Sequence, residues 1–164
     1  MDDSKILIVE DEYIVATDLK QRLEDMGHEI VGIEGDGKSA IKKTVETKPD
    51  LILMDITLKG DLDGIETAQQ IQDIYEVPFI YLSGRSDTTT LERTKITEPT
   101  GYIIKPFIDR GIKKALEMVR WKTHCSDLYY YSLYKFITKE ICSYEIENSL
   151  RKQNEYQKNQ EGDK

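Results

Sequence analysis

"LILMD", residues 51–55, is the stretch of sequence that decides the fold. Four consecutive apolar residues favour a β-strand that is buried on both faces, as the strands of parallel sheets are. The stretch ends on Asp55, and a carboxylate is costly to bury unless other groups compensate its charge. We therefore expect this strand to emerge at Asp55 on an edge of the sheet where partners for the acid are found.

Short apolar runs rich in β-branched residues alternate with segments of helical spacing over the first 105 residues. The runs predict strands at 5–9, 29–33, 51–54, 78–82 and 102–104. Four of the five helical segments have an apolar face; in chain order these faces are Ile14, Val15, Leu19, Leu23 and Met26, then Ile41 and Val45, then Ile65, Ala68, Ile71 and Ile74, and, after Pro106, Ile112, Leu116 and Val119. The remaining segment, the fourth at about 87–95, is weakly patterned and begins with a threonine-rich stretch.

Alternating strands and helices predict an α/β domain in which helices cover both faces of a parallel sheet. The runs at 5–9 and 51–54 are the most continuously apolar, so we expect them at the centre of the sheet. Right-handed crossovers then favour the doubly wound strand order 2-1-3-4-5. In sheets of this kind the functional site lies at the carboxyl ends of the strands.

Polar residues follow four of the predicted strands. Glu10 and Asp11 follow the first, Asp55 the third, Ser83 the fourth and Lys105 the fifth. Clustered carboxylates repel one another unless a cation neutralises them, and an all-oxygen ligand set favours Mg²⁺ where phosphate is handled. With a lysine and a hydroxyl that can bind phosphoryl oxygens, the set suits phosphoryl transfer to a carboxylate. Each residue alone has an ordinary structural explanation, such as a helix cap or a surface lysine, and only the combination points to a site.

Composition disfavours several classes of function, although it leaves room for a local basic patch. The chain has 164 residues and a net charge of −8, which disfavours binding to nucleic acid or anionic membranes through bulk electrostatics. No apolar run is long enough for a transmembrane helix, and the start does not resemble a signal peptide, so we expect a cytoplasmic protein. Cys125 and Cys142 belong to no zinc motif.

The chain changes character after about residue 122. Residues 123–150 contain the aromatic stretch "DLYYYSLYKF" and predict an amphipathic helix, whereas 151–164 form a polar tail or linker. We interpret the helix as an extra element that packs on the domain or on a second copy of the chain. A nucleic-acid-binding role for it is the weaker hypothesis, because acidic and basic residues nearly balance there.

Five motifs over residues 4–122 resemble those of response-regulator receiver domains, the phospho-accepting modules of two-component signalling: "ILIVEDE", "LILMDITL", "DGIE", "YLSG" and "GYIIKPF". The resemblance implies a flavodoxin-like fold and a phosphorylation-dependent switch. It also assigns a role to each site residue: Asp55 is the phospho-acceptor; Glu10, Asp11, Asp55 and the backbone carbonyl of Thr57 hold Mg²⁺; Lys105 contacts the phosphoryl group; Ser83 and Tyr102 are the switch residues; and Gly64 is the glycine before the third helix.

The sequence departs from the commonest family pattern at three places. Glu10 stands where many members have aspartate, and Gly84 follows Ser83 where alanine is frequent. The loop after Asp55, "ITLKGDLDG", is longer than usual and acidic. Thr57 and Arg85 flank the site and are candidates for setting the lifetime of the phosphorylated form.

The resemblance implies a sensor histidine kinase as phosphodonor and an output through protein–protein interaction, either alone or as part of a larger protein. The chain would not be an enzyme beyond phosphorylation and dephosphorylation of its own Asp55. A homodimer through the fourth helix, fifth strand and fifth helix, or through the C-terminal helix, is a further hypothesis. The alternatives are a Mg²⁺-dependent phosphotransfer enzyme acting on other substrates, a nucleic-acid-binding regulator and a flavin carrier. The flavin carrier is not supported, because the sequence has no phosphate-binding loop after the first predicted strand.

Overall fold

A computed structural model describes residues 3–84 and 93–124. Within these residues, five parallel strands alternate with four α-helices and one short 3₁₀-helix. The elements in chain order are β1 (Lys5–Val9), α1 (Tyr13–Asp25), β2 (Glu29–Glu34), α2 (Gly37–Thr47), β3 (Leu51–Asp55), α3 (Gly64–Gln72), β4 (Phe79–Ser83), the 3₁₀-helix Lys95–Thr97, β5 (Gly101–Ile104) and α4 (Asp109–His124).

The strand order is β2-β1-β3-β4-β5, which confirms the predicted doubly wound topology. Val9 pairs with Met54, Asp55 with Leu82, and Ser83 with Ile104. The carboxyl ends of β1, β3, β4 and β5 therefore meet at one edge of the sheet, as the sequence predicts.

The core has two layers, one on each face of the sheet. Leu51 and Leu53 pack in the layer formed with α1 and α4, whereas Ile52 and Met54 pack in the layer formed with α2 and α3. All residues of β3 are buried, including Asp55. Alternate side chains of a strand point to opposite faces, so the apolar residues 51–54 are expected in a strand that is covered on both faces.

Three residues predicted on the apolar faces of helices are exposed in the structure, so this part of the prediction was wrong. They are Ile14, Val45 and Ile74. The buried stripes run through Ala16, Leu19 and Leu23 in α1 and through Gly37, Ala40 and Thr44 in α2. A helix turns by about 100° per residue, so Val45 is rotated away from the stripe that contains Thr44. Ile74 lies beyond the end of α3 at Gln72.

Other predictions fall largely on residues outside those described. The predicted fourth helix at about 87–95 overlaps them only at 93–95, where Arg93 and Thr94 are helical and Lys95 opens the 3₁₀-helix. The predicted C-terminal helix overlaps them only at 123–124, the end of α4, and the tail 151–164 lies entirely outside them. The division into a domain at 4–122, an extension and a tail remains a prediction. Among the described helices, none combines the length and the apolar character that crossing a bilayer requires.

Candidate functional site

The acidic residues predicted for the site come together at the carboxyl ends of β1 and β3. Glu10 and Asp55 are each only 2% exposed, and Asp11 is half-buried. One carboxylate oxygen from each of the three lies within 4.8 Å of the others. The parallel pairing of β1 with β3 brings Glu10 and Asp55 together, because Val9 and Met54 are partners and the residue after each of them is an acid.

Lys105 joins the cluster from the other side of β4. Its backbone N–H donates to the carbonyl of Ser83 at 2.9 Å, which extends the pairing of β5 with β4 by one residue. Its Nζ atom lies 2.7 Å from Oδ2 of Asp55 and 2.6 Å from Oε2 of Glu10. One ammonium group therefore bridges two buried carboxylates from two different strands.

The second carboxylate oxygen of Asp55 faces Thr57. Oδ1 accepts hydrogen bonds from the backbone N–H of Thr57 at 2.9 Å and from its hydroxyl at 3.2 Å. Asp55 is thus oriented through both oxygens, one towards Lys105 and one towards the following loop. The predicted role of Thr57 involves its carbonyl, and these contacts do not test it.

The two switch candidates lie on β4 and β5. Ser83 ends β4, and its hydroxyl donates to the carbonyl of Gly84 at 3.0 Å rather than to the carboxylate cluster. Tyr102 is half-buried, its ring stacks on Tyr81 with centroids 6.1 Å apart, and its hydroxyl lies 2.5 Å from that of Thr94. Tyr102 therefore connects β5 to the residues that precede the 3₁₀-helix.

Gly64 brings the start of α3 against the end of β3. Its N–H donates to the carbonyl of Ile56 at 3.1 Å. A Cβ atom at this position would lie 1.8 Å from the carbonyl oxygen of Asp55, which is far inside van der Waals contact. Asp63 caps the helix by accepting from the N–H groups of Ile65 and Glu66. The glycine is therefore required by the close approach of two backbones beside Asp55.

The electrostatics of the cluster follow from burial and from the lysine. Burial raises the pKa of Glu10 to about 7, and the negative charge of Asp55 adds to this, whereas the ammonium of Lys105 opposes it. Burial alone would lower the pKa of Lys105, but its hydrogen bonds to Asp55 and Glu10 raise it above its usual value. The cluster carries more negative charge than Lys105 alone can neutralise.

A second ammonium group, which the sequence reasoning missed, contacts the cluster. Nζ of Lys59 lies 2.8 Å from Oδ2 of Asp11. Lys59 is the one basic residue in the loop 56–63, which otherwise carries two acids. A lone lysine four residues beyond Asp55 in an acidic loop was the available signal.

The donor set fits a divalent cation. Three carboxylates offer oxygens within 4.8 Å of one another, and hard oxygen ligands are those that Mg²⁺ prefers. Two lysines already contact these carboxylates, which indicates that the site requires positive charge. Glu10, Asp11 and Asp55 are the residues that could hold such an ion.

Comparison with known proteins gives a consistent result. Residues 6–117 match the family described as response regulator receiver domain. The transcriptional regulatory protein PdtaR of Mycobacterium tuberculosis is 34% identical over 114 residues, which cover 70% of this chain and 55% of PdtaR. The phyllosphere-induced regulator PhyR of Methylorubrum extorquens is 36% identical over 106 residues, covering 63% of this chain and 39% of PhyR.

A solved structure agrees with these relatives. The signal receiver domain of a modulated diguanylate cyclase from Desulfovibrio desulfuricans G20 superimposes with a TM-score of 0.69 at 34% identity, covering 74% of this chain and 96% of that domain. The chain spans about half or less of the length of the two curated relatives. The family match over residues 6–117, the strand order and the similarity to this solved structure all agree. The chain therefore belongs to the response-regulator receiver family.

Proposed function

We propose that this chain is a phosphorylation-dependent switch that accepts a phosphoryl group on Asp55 from a sensor histidine kinase and signals through a protein partner. The observation that carries the proposal is the environment of Asp55. Its carboxylate is buried at the end of β3, held by Thr57 through one oxygen and by Lys105 through the other. A carboxylate fixed in this way is positioned to act as a nucleophile.

The transfer step conserves atoms and charge without any further reagent. A carboxylate oxygen of Asp55 attacks the phosphorus of a phosphohistidine on the kinase, and a P–O bond forms as the P–N bond breaks. The electron pair of the broken bond stays on the imidazole nitrogen. Asp55 becomes an acyl phosphate, and the ammonium of Lys105, now 2.7 Å from Oδ2, is placed to pair with the added negative charge.

Glu10, Asp11, Asp55 and the carbonyl of Thr57 would hold Mg²⁺, with the three carboxylates supplying most of the negative charge. When bound, the ion supplies charge neutralisation for the oxygens of the transferring phosphoryl group. Lys105 and the N–H of Thr57 orient the nucleophile independently of it.

The contacts of Ser83 and Tyr102 support the proposed switch. The hydroxyl of Ser83 now donates to the carbonyl of the next residue, and phosphoryl oxygens offer it a charged acceptor instead. We expect the attraction of Ser83 to the phosphoryl group to shift the chain that follows β4. The hydroxyl of Tyr102 shares a hydrogen bond with that of Thr94, just before the 3₁₀-helix, so Tyr102 is placed to respond to such a shift.

We propose that the chain catalyses no reaction on other substrates and that its output is binding to a protein, within the cytoplasm. The net charge of −8 supports a protein partner over nucleic acid. The named relatives PdtaR and PhyR are regulators, and the matched part of each is about half or less of its length, so the output of a longer protein would depend on what the receiver is joined to.

The decisive experiment is phosphorylation of the full chain by acetyl phosphate with Mg²⁺, followed by intact mass spectrometry. We expect one phosphoryl group per chain, lost at alkaline pH as an acyl phosphate is. Asp55→Asn should take up none, whereas Asp61→Asn, which removes an exposed carboxylate from the following loop, should label like the wild type. Labelling of Asp55→Asn at the wild-type level would refute the assignment, and multiple turnover of an added phosphoester would favour the phosphotransfer enzyme instead.

A further inference from the structure

We propose that Lys59 is an internal counter-ion of the carboxylate cluster that competes with the divalent cation for Asp11 and so weakens cation binding. The inference deepens the proposed function and rests on it, because it concerns the same metal site. Lys59 would act on the metal site indirectly, through its ion pair with Asp11.

The contact between Lys59 and Asp11 is direct. The Nζ–Oδ2 distance is 2.8 Å, and the side chains are 82% and 13% exposed, respectively. The hydrogen bond to Asp11 raises the pKa of Lys59, and the charges of Asp11, Glu12 and Asp55 add to this. The ammonium therefore experiences the negative charge of two members of the cluster, Asp11 and Asp55, in addition to that of Glu12.

The two lysines divide the cluster between them. Lys105 contacts Glu10 and Asp55, and Lys59 contacts Asp11, so each of the three carboxylates touches an ammonium group. Lys105 is largely enclosed, with a side chain that is 20% exposed. Lys59 extends from a loop into solvent and can leave Asp11 without disturbing the core.

A cation that takes Oδ2 of Asp11 as a ligand must displace Lys59 from that oxygen. The lysine end of this pair is 82% exposed, so water and salt screen the ammonium, and the long side chain loses entropy when it pairs. The exchange is therefore easy, and we expect Lys59 to weaken cation binding by about two- to five-fold rather than to prevent it. Lys59 reduces the repulsion between the carboxylates when no cation is bound, and it leaves Asp11 when a cation binds.

Titration of the full chain with Mn²⁺, with the free ion counted by electron paramagnetic resonance, tests the proposal without any phosphorylation assay. Lys59→Ala and Lys59→Gln should bind Mn²⁺ about two- to five-fold more tightly than the wild type. Lys59→Arg keeps the charge and should remain close to the wild type. Mg²⁺ should also raise the melting temperature of Lys59→Ala by more than that of the wild type, because tighter binding stabilises the folded state more.

The matched control is Lys38→Ala. Lys38 pairs with Asp61, an acid of the same loop that does not belong to the cluster. Lys38→Ala changes the net charge by the same amount as Lys59→Ala. Because Lys38 does not pair with a carboxylate of the cluster, its removal should leave Mn²⁺ affinity close to that of the wild type. Equal tightening by Lys38→Ala and Lys59→Ala would overturn the proposal in favour of a general charge effect.

Unchanged affinity in Lys59→Ala would also overturn the role of Lys59, and it would leave the proposed function intact if Asp11→Asn binds Mn²⁺ more weakly. Failure of the wild type and all variants to bind Mn²⁺ would refute the metal site itself, and the counter-ion role with it. The two failures are therefore distinguishable in one set of titrations.

Discussion

The ammonium of Lys105 lies 2.7 Å from the carboxylate of Asp55, although fifty residues separate them in the chain. The same ammonium lies 2.6 Å from Glu10. Three strands, β1, β3 and β5, thus contribute to one charged group of atoms at the edge of the sheet. This arrangement ties the stability of the domain to the charge state of its proposed site.

Replacing Lys105 by methionine should destabilise the protein in the absence of divalent cations. The change keeps the length of the side chain but leaves Glu10 and Asp55, both 2% exposed, without their ammonium partner. A hydrogen bond to a charged group contributes about 1.5–3 kcal/mol, and we expect the free energy of unfolding to fall by about that amount. Urea denaturation at pH 8 with a chelator measures the loss.

Lys42→Met is the control for that experiment. Lys42 is exposed and lies 3.9 Å from Glu46 one helical turn away. Exposed pairs of this kind contribute little, so we expect almost no change. A Lys105→Met variant as stable as Lys42→Met would contradict the view that the bridging ammonium compensates the buried acids.

The raised pKa of Glu10 predicts a particular pH dependence of stability. Its pKa is about 7 in the folded protein against 4.5 for the unperturbed group, so the folded state holds the proton more tightly than the unfolded state. The contribution of Glu10 to stability should therefore fall as pH rises from about 4.5 to about 7 and stay low above that.

Comparison of the wild type with Glu10→Gln isolates this contribution from that of other carboxylates. Without added divalent cation, the free energy of unfolding of the wild type minus that of the variant should decrease by about 1–3 kcal/mol across the window. Urea denaturation at several pH values between 4 and 8 measures the difference. A flat difference would show that Glu10 titrates alike in the folded and unfolded states.

Gly64→Ala should impair both stability and phosphorylation. The added Cβ would meet the carbonyl oxygen of Asp55 at 1.8 Å, so α3 must move away from β3. Overpacking of this kind typically costs about 1–3 kcal/mol, and a displaced Asp55 should accept phosphate more slowly. Thermal unfolding and acetyl phosphate labelling measure the two effects.

Gly111→Ala provides the matched control for Gly64→Ala. Gly111 lies in α4, is exposed, and has open space where the new Cβ would be. Alanine favours a helix over glycine by about 0.5–1 kcal/mol, so this variant should be as stable as the wild type or more so. If Gly64→Ala behaved like Gly111→Ala, the close approach beside Asp55 would not constrain the fold.

Tyr81→Phe should loosen the segment that contains the 3₁₀-helix. Tyr81 is fully buried, and its hydroxyl lies 2.8 Å from that of Thr97, which itself donates to the carbonyl of Thr94. Because a hydroxyl has one hydrogen, Tyr81 is the donor to Thr97. Loss of this bond should cost about 1 kcal/mol and increase amide hydrogen exchange in 94–97.

Tyr102→Phe removes the hydrogen bond between the hydroxyls of Tyr102 and Thr94, so its effect can be compared with loss of the bond between Tyr81 and Thr97. Both variants should speed exchange in 94–97, but Tyr102 is less buried, so its variant should lose less stability. Unaltered exchange in both variants would show that these phenol–threonine bonds do not hold the segment to the sheet.

Much of the fold could be predicted from local patterns. The apolar run 51–54 marked a strand buried on both faces, and the alternation of segments led to the observed strand order. The faces of the helices were predicted less well, because Ile14 and Val45 fit an apolar spacing that the actual packing does not use. Apolar residues at helical spacing define a broad face, and only contact with the sheet decides which part of it is buried.

The sequence by itself determined that three of the charged residues meet. In a parallel sheet the residues that follow the strands gather at one edge, so Glu10, Asp55 and Lys105 could be placed together once the strands and their order were assigned. Only the tertiary structure decided how they pair. The bridging position of Lys105 and the contact of Lys59 with Asp11 depend on side-chain reach and loop path over several ångströms, and no local pattern specifies distances between residues so far apart in the chain.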